Sequence, residues 1–244
     1  ADNCDLLLSN DPCTMTEPQA LPRLADFRHH TRLRVRWSEL DVQGVVFNGH
    51  YLNYMDVAVG EWWRALAMPY ASAMAAMGGE FFARKSTVDY LASARMDDVV
   101  EVCVRDGRLG NSSMVIEGAM FVSGRLIATS ELLYVFADLQ TQVPKRIPDA
   151  FRAMLQRHRD GRDMVDVQQG SWAQLQAEAA PLRRTVFVDE QGVPEAEEWD
   201  AADADCLHAV ARNGLGQAVG TGRLLPAQDG VAKLGRMAVL KPLR

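Results

Sequence analysis

A single carboxylate stands close to a predicted helix start within residues 39–56, which read ELDVQGVVFNGHYLNYMD. Asp41 precedes Gly44 by three residues, an apolar run follows, and a helical pattern begins at Tyr51. A helix N-terminus carries backbone N–H groups without intrahelical partners, and a carboxylate beside it can act as a base or a nucleophile. Asp41 also fits a turn in which its side chain accepts loop amides. The spacing alone leaves both interpretations open.

Apolar periodicity predicts the elements that place this carboxylate. Residues 30–40 alternate polar and apolar side chains, which indicates a strand. From Tyr51 to Leu66 apolar residues recur at three- and four-residue steps, which indicates a long buried helix. Four further strand-like segments follow at residues 86–91, 98–109, 113–124 and 125–138. Because hairpin turns join the later segments, the pattern predicts an α+β domain, an antiparallel sheet packed on one helix.

A second unit follows a short amphipathic helix that opens at Asp149. Residues 159–164 are charged and predict a linker, and the second unit begins at Val165. Its pattern predicts a helix that breaks or restarts at Pro181, followed by three strands. The acidic run from Glu195 to Asp205 predicts a solvated loop, with a surface facing an amine substrate as the alternative.

The composition is typical of a soluble globular protein of one or two domains, with 244 residues, 48% hydrophobic and 24% charged. A net charge of −6 argues against a general nucleic-acid binder, because phosphate contacts need a basic surface. No apolar run reaches about 18 residues, so no membrane span is expected, and residues 1–27 predict a partly disordered leader. The four cysteines have no metal-type spacing, so we expect free thiols in a cytoplasmic protein. They are Cys4, Cys13, Cys103 and Cys206.

Three segments in order carry a resemblance to a known family. The first matches a motif of an aspartate, two variable residues, a glycine, an apolar pair, an aromatic residue and a later tyrosine. The matching positions are Asp41, Gly44, Val45, Val46, Phe47 and Tyr51. With VDYLASARMDDVVEV and GRLGNSSMVIEG, residues 28–158 resemble the hotdog-fold acyl-CoA thioesterases of the 4-hydroxybenzoyl-CoA thioesterase branch. The resemblance implies a hotdog fold, an antiparallel sheet wrapped on a long central helix.

The resemblance also implies roles for the residues around the helix start. The backbone N–H of Asn48, which fits an N-cap as well, becomes an oxyanion donor. Asp41 becomes a nucleophile or a general base on water, and Gly44 lets the loop turn tightly so that the two groups converge. Tyr51 completes the motif. His50 lies in the first helical turn and is interpreted as a base, or alternatively as a structural or substrate-facing histidine.

The resemblance implies coenzyme A as part of the substrate, and it implies no metal or redox cofactor. Its phosphates need basic and hydroxyl groups, and the resemblance points to Arg108, Ser112 and Ser113. An ordinary polar hairpin explains the same three residues equally well. Because hotdog enzymes place the active site at a subunit interface, the resemblance implies a homodimer or a homotetramer.

The second unit, residues 165–244, resembles the N-terminal half of a GNAT-type N-acetyltransferase, an α/β unit. The segments VFVDEQGVP, VGTGRLLP and AKLGRMAVL carry this similarity. It implies that the strand at Met237, Ala238 and Val239 meets an acetyl-pantetheine arm. The family's glycine-rich phosphate loop would follow KPLR, and without it we expect no acetyl transfer.

The sequence therefore predicts an acyl-CoA thioesterase that hydrolyses a thioester to a carboxylic acid and free CoA. The acyl group is not identified by any motif. Two alternatives from other classes stay open: a CoA-dependent N-acyltransferase, and a non-catalytic CoA-binding or assembly module.

Overall fold

The computed structural model describes residues 20–244, so most of the predicted leader, with Cys4 and Cys13, lies outside the described residues. Alternating apolar residues build a five-stranded antiparallel sheet with the order β1-β3-β4-β5-β2. Its strands are β1 (His29–Arg34), β2 (Glu80–Tyr90), β3 (Val99–Leu109), β4 (Ser113–Val122) and β5 (Arg125–Ala137). The longest helix, α1 (Asn48–Ala65), packs on the inner face of this sheet, where Met55, Ala58 and Trp62 are fully buried. This arrangement confirms the predicted α+β fold of the first unit.

Gly118 on β4 leaves room for a side chain of α1. A Cβ atom at Gly118 on β4 would overlap the side chain of Met55. Two further helices, α2 (Tyr70–Met77) and α3 (Asp149–Arg159), close the ends of the core. Gly78 ends α2 in the left-handed conformation, so β2 begins at Glu80 and not at the predicted residue 86.

The predicted strand over residues 30–40 is wrong beyond Arg34. Residues Trp37–Glu39 form a 3-10 turn, and Trp37 is 80% exposed. The Glu39 carboxylate accepts the backbone N–H of Arg36 at 2.7 Å, which turns the chain before the alternation can continue.

The second unit is a four-stranded antiparallel sheet with the order β6-β7-β8-β9. Its strands are β6 (Val165–Gly170), β7 (Leu207–Asn213), β8 (Ala218–Leu224) and β9 (Leu234–Val239). One face is covered by α4 (Trp172–Arg183), which passes directly into a π-helical stretch at Arg184–Glu190. Sequence reasoning missed β6 and was wrong about Pro181, which lies inside α4 and does not break it.

The acidic segment of the second unit is not the solvated loop that its charge predicts. It contains the short helix α5 (Glu195–Glu198), and the side chains of Glu198 and Asp203 are buried. Both carboxylates pair with buried Arg183, at 2.5 and 2.8 Å. The Arg183 guanidinium lies over the rings of Trp172 and Trp199, at about 5 Å from each centroid. These charges therefore fix the segment onto the end of α4.

No helix in residues 20–244 combines the length and the apolar character that crossing a membrane requires.

Candidate active site

A tight loop presents Asp41 just before α1. The Asp41 N–H donates to the Val45 carbonyl at 2.9 Å, and the Gly44 N–H donates back to the Asp41 carbonyl at 3.0 Å. Gly44 has a φ of +72°, a conformation that glycine adopts without steric cost. The loop therefore closes within five residues and ends at the start of the helix.

One oxygen of the Asp41 carboxylate accepts hydrogen bonds from the loop backbone. Its Oδ1 accepts the N–H of Gln43 at 2.8 Å and that of Val45 at 3.5 Å. Its Oδ2 has no hydrogen-bond partner within the described part of the chain. The side chain is half-buried. The turn interpretation and the chemical interpretation of Asp41 are thus compatible, because one oxygen orders the loop and the other faces outward.

The N-terminus of α1 leaves backbone donors unpaired. Phe47, and not Asn48, is the N-cap residue, and it makes no side-chain cap. Across residues 20–244 no acceptor bonds the backbone N–H of Asn48 or of Gly49, whereas the His50 N–H bonds the Phe47 carbonyl at 2.9 Å. Two donors at the positive end of a helix dipole are therefore free to bind developing negative charge.

Asp41 and the first of these two donor residues, Asn48, line the same cavity. It has a volume of about 460 Å³ and lies between the Asp41 loop, the first turn of α1 and the segment that follows β2. Its walls are Asp41, Val45, Val46, Phe47, Asn48, Tyr51, Tyr90, Leu91, Ala92 and Ser93. A carbonyl group in this cavity would meet both a carboxylate and the helix N–H group of Asn48.

Two tyrosines hold the walls of the cavity in place. Tyr51 is buried, its hydroxyl accepts the Ala94 N–H at 3.1 Å, and burial raises its pKa. The Tyr90 hydroxyl donates to the carbonyl of Asn48 at 3.0 Å. The two rings meet edge to face with centroids 5.3 Å apart. Sequence reasoning missed Tyr90, because its contact with Asn48 spans 42 residues and no local pattern signals it.

A buried carboxylate, also missed, supports the loop from behind. Glu39 accepts the Tyr54 hydroxyl at 2.7 Å and bonds the Arg36 guanidinium, and its carbonyl accepts the Phe47 N–H. Burial opposes the charge, but hydrogen bonds from the Arg36 amide, Tyr54 and the Arg36 guanidinium together hold the pKa of Glu39 below its usual value. Its role is structural, because its oxygens are already occupied.

His50 is not part of the cavity wall. Its Nδ1 lies 3.1 Å from the side-chain amide of Asn53, and its ring meets Phe47 edge-on. Among the described residues no group of three or more His, Cys, Asp or Glu side chains is placed to hold a metal ion.

The predicted CoA-binding residues do not meet Asp41 within one subunit. Arg108 and Ser113 flank the β3–β4 hairpin, and Ser113 pairs with Val135 near the end of β5 where Phe136 pairs with Phe81. Tyr90, at the Asp41 cavity, ends β2 at the opposite side of the sheet. Nine residues of strand separate Phe81 from Tyr90, which is roughly 30 Å. Ser112 lies in the same distant hairpin.

Met237, Ala238 and Val239 lie on β9 of the second sheet and point to two faces. Ala238 is buried and packs against Leu182 and Val186, and Met237, Ala238 and Val239 all contribute to the lining of an open apolar cavity of about 380 Å³. The Asp41 cavity contains none of them.

Comparison with known proteins finds similarity to thioesterases over the first unit. Residues 35–155 match the model of the thioesterase-like superfamily. The acyl-CoA thioester hydrolase YbgC of Escherichia coli is 28% identical over 122 residues, which are 50% of this chain and 90% of that protein. A putative esterase of Aquifex aeolicus is 38% identical over 71 residues, 29% of this chain and 55% of its own length. A solved 1,4-dihydroxy-2-naphthoyl-CoA thioesterase from Synechocystis is 15% identical with a TM-score of 0.48, covering 52% of this chain and 94% of its own.

Proposed function

Since residues 35–155 form a thioesterase-like domain of the hotdog type, we propose that this protein hydrolyses acyl-CoA thioesters to a carboxylic acid and free CoA. One observation carries the proposal: Asp41 and Asn48, whose backbone N–H at the start of α1 has no acceptor among residues 20–244, line one cavity. The similarity to YbgC, an acyl-CoA thioester hydrolase, supports the same reaction.

The chemistry follows from charge that develops on the thioester carbonyl oxygen. The backbone N–H group of Asn48 stabilises that oxygen as the carbonyl carbon becomes tetrahedral. In one route the free Oδ2 of Asp41 takes a proton from water, the resulting hydroxide attacks the carbonyl carbon, and the C–S bond breaks with proton return to the thiolate. In the other route Oδ2 attacks the carbon itself, CoA thiolate leaves, and water then hydrolyses the mixed anhydride. A rapid-quench search for an acyl group on Asp41 by mass spectrometry distinguishes them.

A second copy of the chain would complete the site. The free edge of β2 is 11 residues long, and an exposed edge strand favours pairing. A two-fold axis through the middle of β2 would place the Glu80 end of the partner beside the Tyr90 end of the first subunit. The partner's β3–β4 hairpin, with Arg108, Ser112 and Ser113, would then approach the Asp41 cavity. We therefore propose a homodimer, alone or within a homotetramer.

A pocket that suits the acyl group lies at the Glu80 end of β2, the end that the two-fold axis would place beside the partner's Asp41 cavity. A cavity of about 250 Å³ lies between α1 and the sheet, and we call it the acyl pocket. Its lining residues are Asp56, Val59, Gly60, Trp63, Tyr70, Phe81, Ile116 and Tyr134. Aromatic walls of this kind suit a short or single-ring acyl group better than a long chain.

Thiol release from a panel of short-chain, long-chain and aromatic acyl-CoA substrates tests the proposal. We expect turnover with at least one short or aromatic substrate, and Asp41→Asn serves as the blank. A wild-type protein that releases no thiol above the Asp41→Asn background from any member of the panel refutes the thioesterase assignment.

A further inference from the structure

The second unit touches the first unit at the segment that forms one wall of the acyl pocket. This contact is made by the β7–β8 turn, residues 213–217. It meets the junction between α1 and α2, where Trp63 and Tyr70 stand on either side and line the pocket. Their rings are 5.4 Å apart, edge to face.

Two amide side chains of the turn carry hydrogen bonds across this contact. Asn213 is buried, and its Nδ2 donates to the Ala67 carbonyl at 3.0 Å. The Nε2 of Gln217 donates to the Ser72 carbonyl at 3.1 Å. The two side chains also bond each other, Asn213 Nδ2 to Gln217 Oε1, at 3.0 Å. The bonds thus hold both ends of the α1–α2 junction.

The turn is built to present these donors. The Oδ1 of Asn213 accepts the N–H groups of Leu215 and Gln217, each at 3.0 Å, so the side chain is fixed before it reaches the first unit. Leu215 packs against the core of the first unit, and a Cβ atom on Gly214 would overlap Met154 on α3. The turn therefore packs against α3 as well as against the α1–α2 junction.

The junction needs such support because its backbone is strained. Ala67 has a φ of +55°, a left-handed conformation that is unfavourable for a residue with a Cβ atom. Its carbonyl belongs to a buried residue, and a buried carbonyl without a donor is costly. Phe151 on α3 stacks on Trp63 with centroids 5.5 Å apart, so movement of either braced element reaches the pocket wall.

We propose that Asn213 and Gln217 of the second unit are positioning residues that set the shape of the acyl pocket and thereby the choice of acyl group. This inference rests on the proposed thioesterase function. It assigns to the second unit a part in substrate selection that needs no chemistry of its own.

Two isosteric substitutions test it in the full chain. Asn213→Asp and Gln217→Glu remove the donors to Ala67 and Ser72 but keep the acceptor oxygens that shape the turn. Gln169→Glu, at an exposed position on β6, adds the same charge to the same unit and is the matched control. The probes are benzoyl-CoA and acetyl-CoA, and the readout is the ratio of their kcat/KM values.

We expect the benzoyl-to-acetyl ratio to change about three- to tenfold in both variants, the range for loss of one hydrogen bond, with acetyl-CoA turnover and the control unchanged. Amides of residues 66–72 should exchange hydrogen faster in the variants than in the control. General loss of folding would lower both substrates together and leave the ratio unchanged. If Asn213→Asp fails to fold, the partly exposed Gln217→Glu carries the test.

An unchanged ratio in a folded Gln217→Glu protein overturns the inference while the thioesterase function stands. If the wild-type protein hydrolyses no acyl-CoA, the proposed function fails, and hydrogen exchange then decides the positioning role. Equal exchange of residues 66–72 in wild type and variants would overturn it.

Discussion

The hydroxyl of Tyr90 donates a 3.0 Å hydrogen bond to the main-chain carbonyl of Asn48, which ties the end of β2 to the first residue of α1. The N–H of Asn48, which we propose as the oxyanion donor, lies at the Asp41 cavity. The position of this proposed donor thus depends on a strand residue that lies 42 residues later in the chain.

Removing this hydroxyl should affect catalysis more than folding. Tyr90 is 50% exposed, so Tyr90→Phe should leave the melting temperature nearly unchanged. Loss of one hydrogen bond that orients the first turn should lower kcat by about two- to tenfold. Steady-state kinetics beside a thermal melt checks this. A wild-type kcat would show that the Tyr90 bond does not orient the donors.

The two oxygens of Asp41 predict that its two roles can be separated. Asp41→Asn keeps an oxygen for the Gln43 and Val45 amides, whereas Asp41→Ala loses it. Both variants should lose roughly two to four orders of magnitude in turnover. Only Asp41→Ala should also lose stability, by about 0.5–1.5 kcal/mol. Urea unfolding of the two proteins measures the difference, and equal midpoints would mean that the turn bonds contribute nothing.

Sharing of sites between subunits predicts complementation of two inactive proteins. In a hybrid dimer of Asp41→Asn and Arg108→Glu chains, one site combines an intact Asp41 with an intact Arg108 from the other chain. Random mixing should therefore restore about a quarter of wild-type activity. Mixtures of Asp41→Asn with Asp41→Ala are the control and should stay inactive. Sedimentation showing a monomer at micromolar concentration would remove the basis for the experiment and for the dimer.

Arg183 should be far more important for stability than its neighbour in sequence. Arg183→Met removes the cation that buried Glu198 and Asp203 share and leaves them only Arg236 and Arg223, which should cost about 3 kcal/mol, the lower end for breaking a buried pair. Arg184→Met breaks an exposed pair with Glu195 and should cost at most about 1 kcal/mol. Thermal unfolding of the two variants compares them directly, and similar melting temperatures would contradict the structural role of the buried network.

Local sequence patterns predicted what depends on neighbours along the chain. The period of α1, the alternation of β3 to β5 and the spacing of Asp41, Gly44 and the helix start are all encoded within a few residues. The fold of the first unit and the tight loop that places Asp41 before the helix could therefore be predicted.

Contacts between distant segments could not be predicted in the same way. The sequence around Glu39 predicts an exposed carboxylate, because its burial depends on contacts with Tyr54 and Arg36. The position of Tyr90 beside Asn48 depends on the pairing of β2 with β5, which no local pattern specifies. The distance between Arg108 and Asp41 depends on strand direction, which a motif does not state. The acidic composition around Glu198 and Asp203 predicts solvent-exposed carboxylates, although both are buried and paired with Arg183.

The packing of Leu215 and Gly214 against the first unit has a consequence for truncation of the chain. Residues 159–164 have the composition of a linker, yet hydrophobic contacts join the residues on its two sides. A chain ending at residue 160 would expose the side chain of Met154 and the carbonyl of Ala67 to water. An unrelated second half would have to reproduce that contact, so the first unit of this chain is expected to be less stable when it is separated from its own second unit.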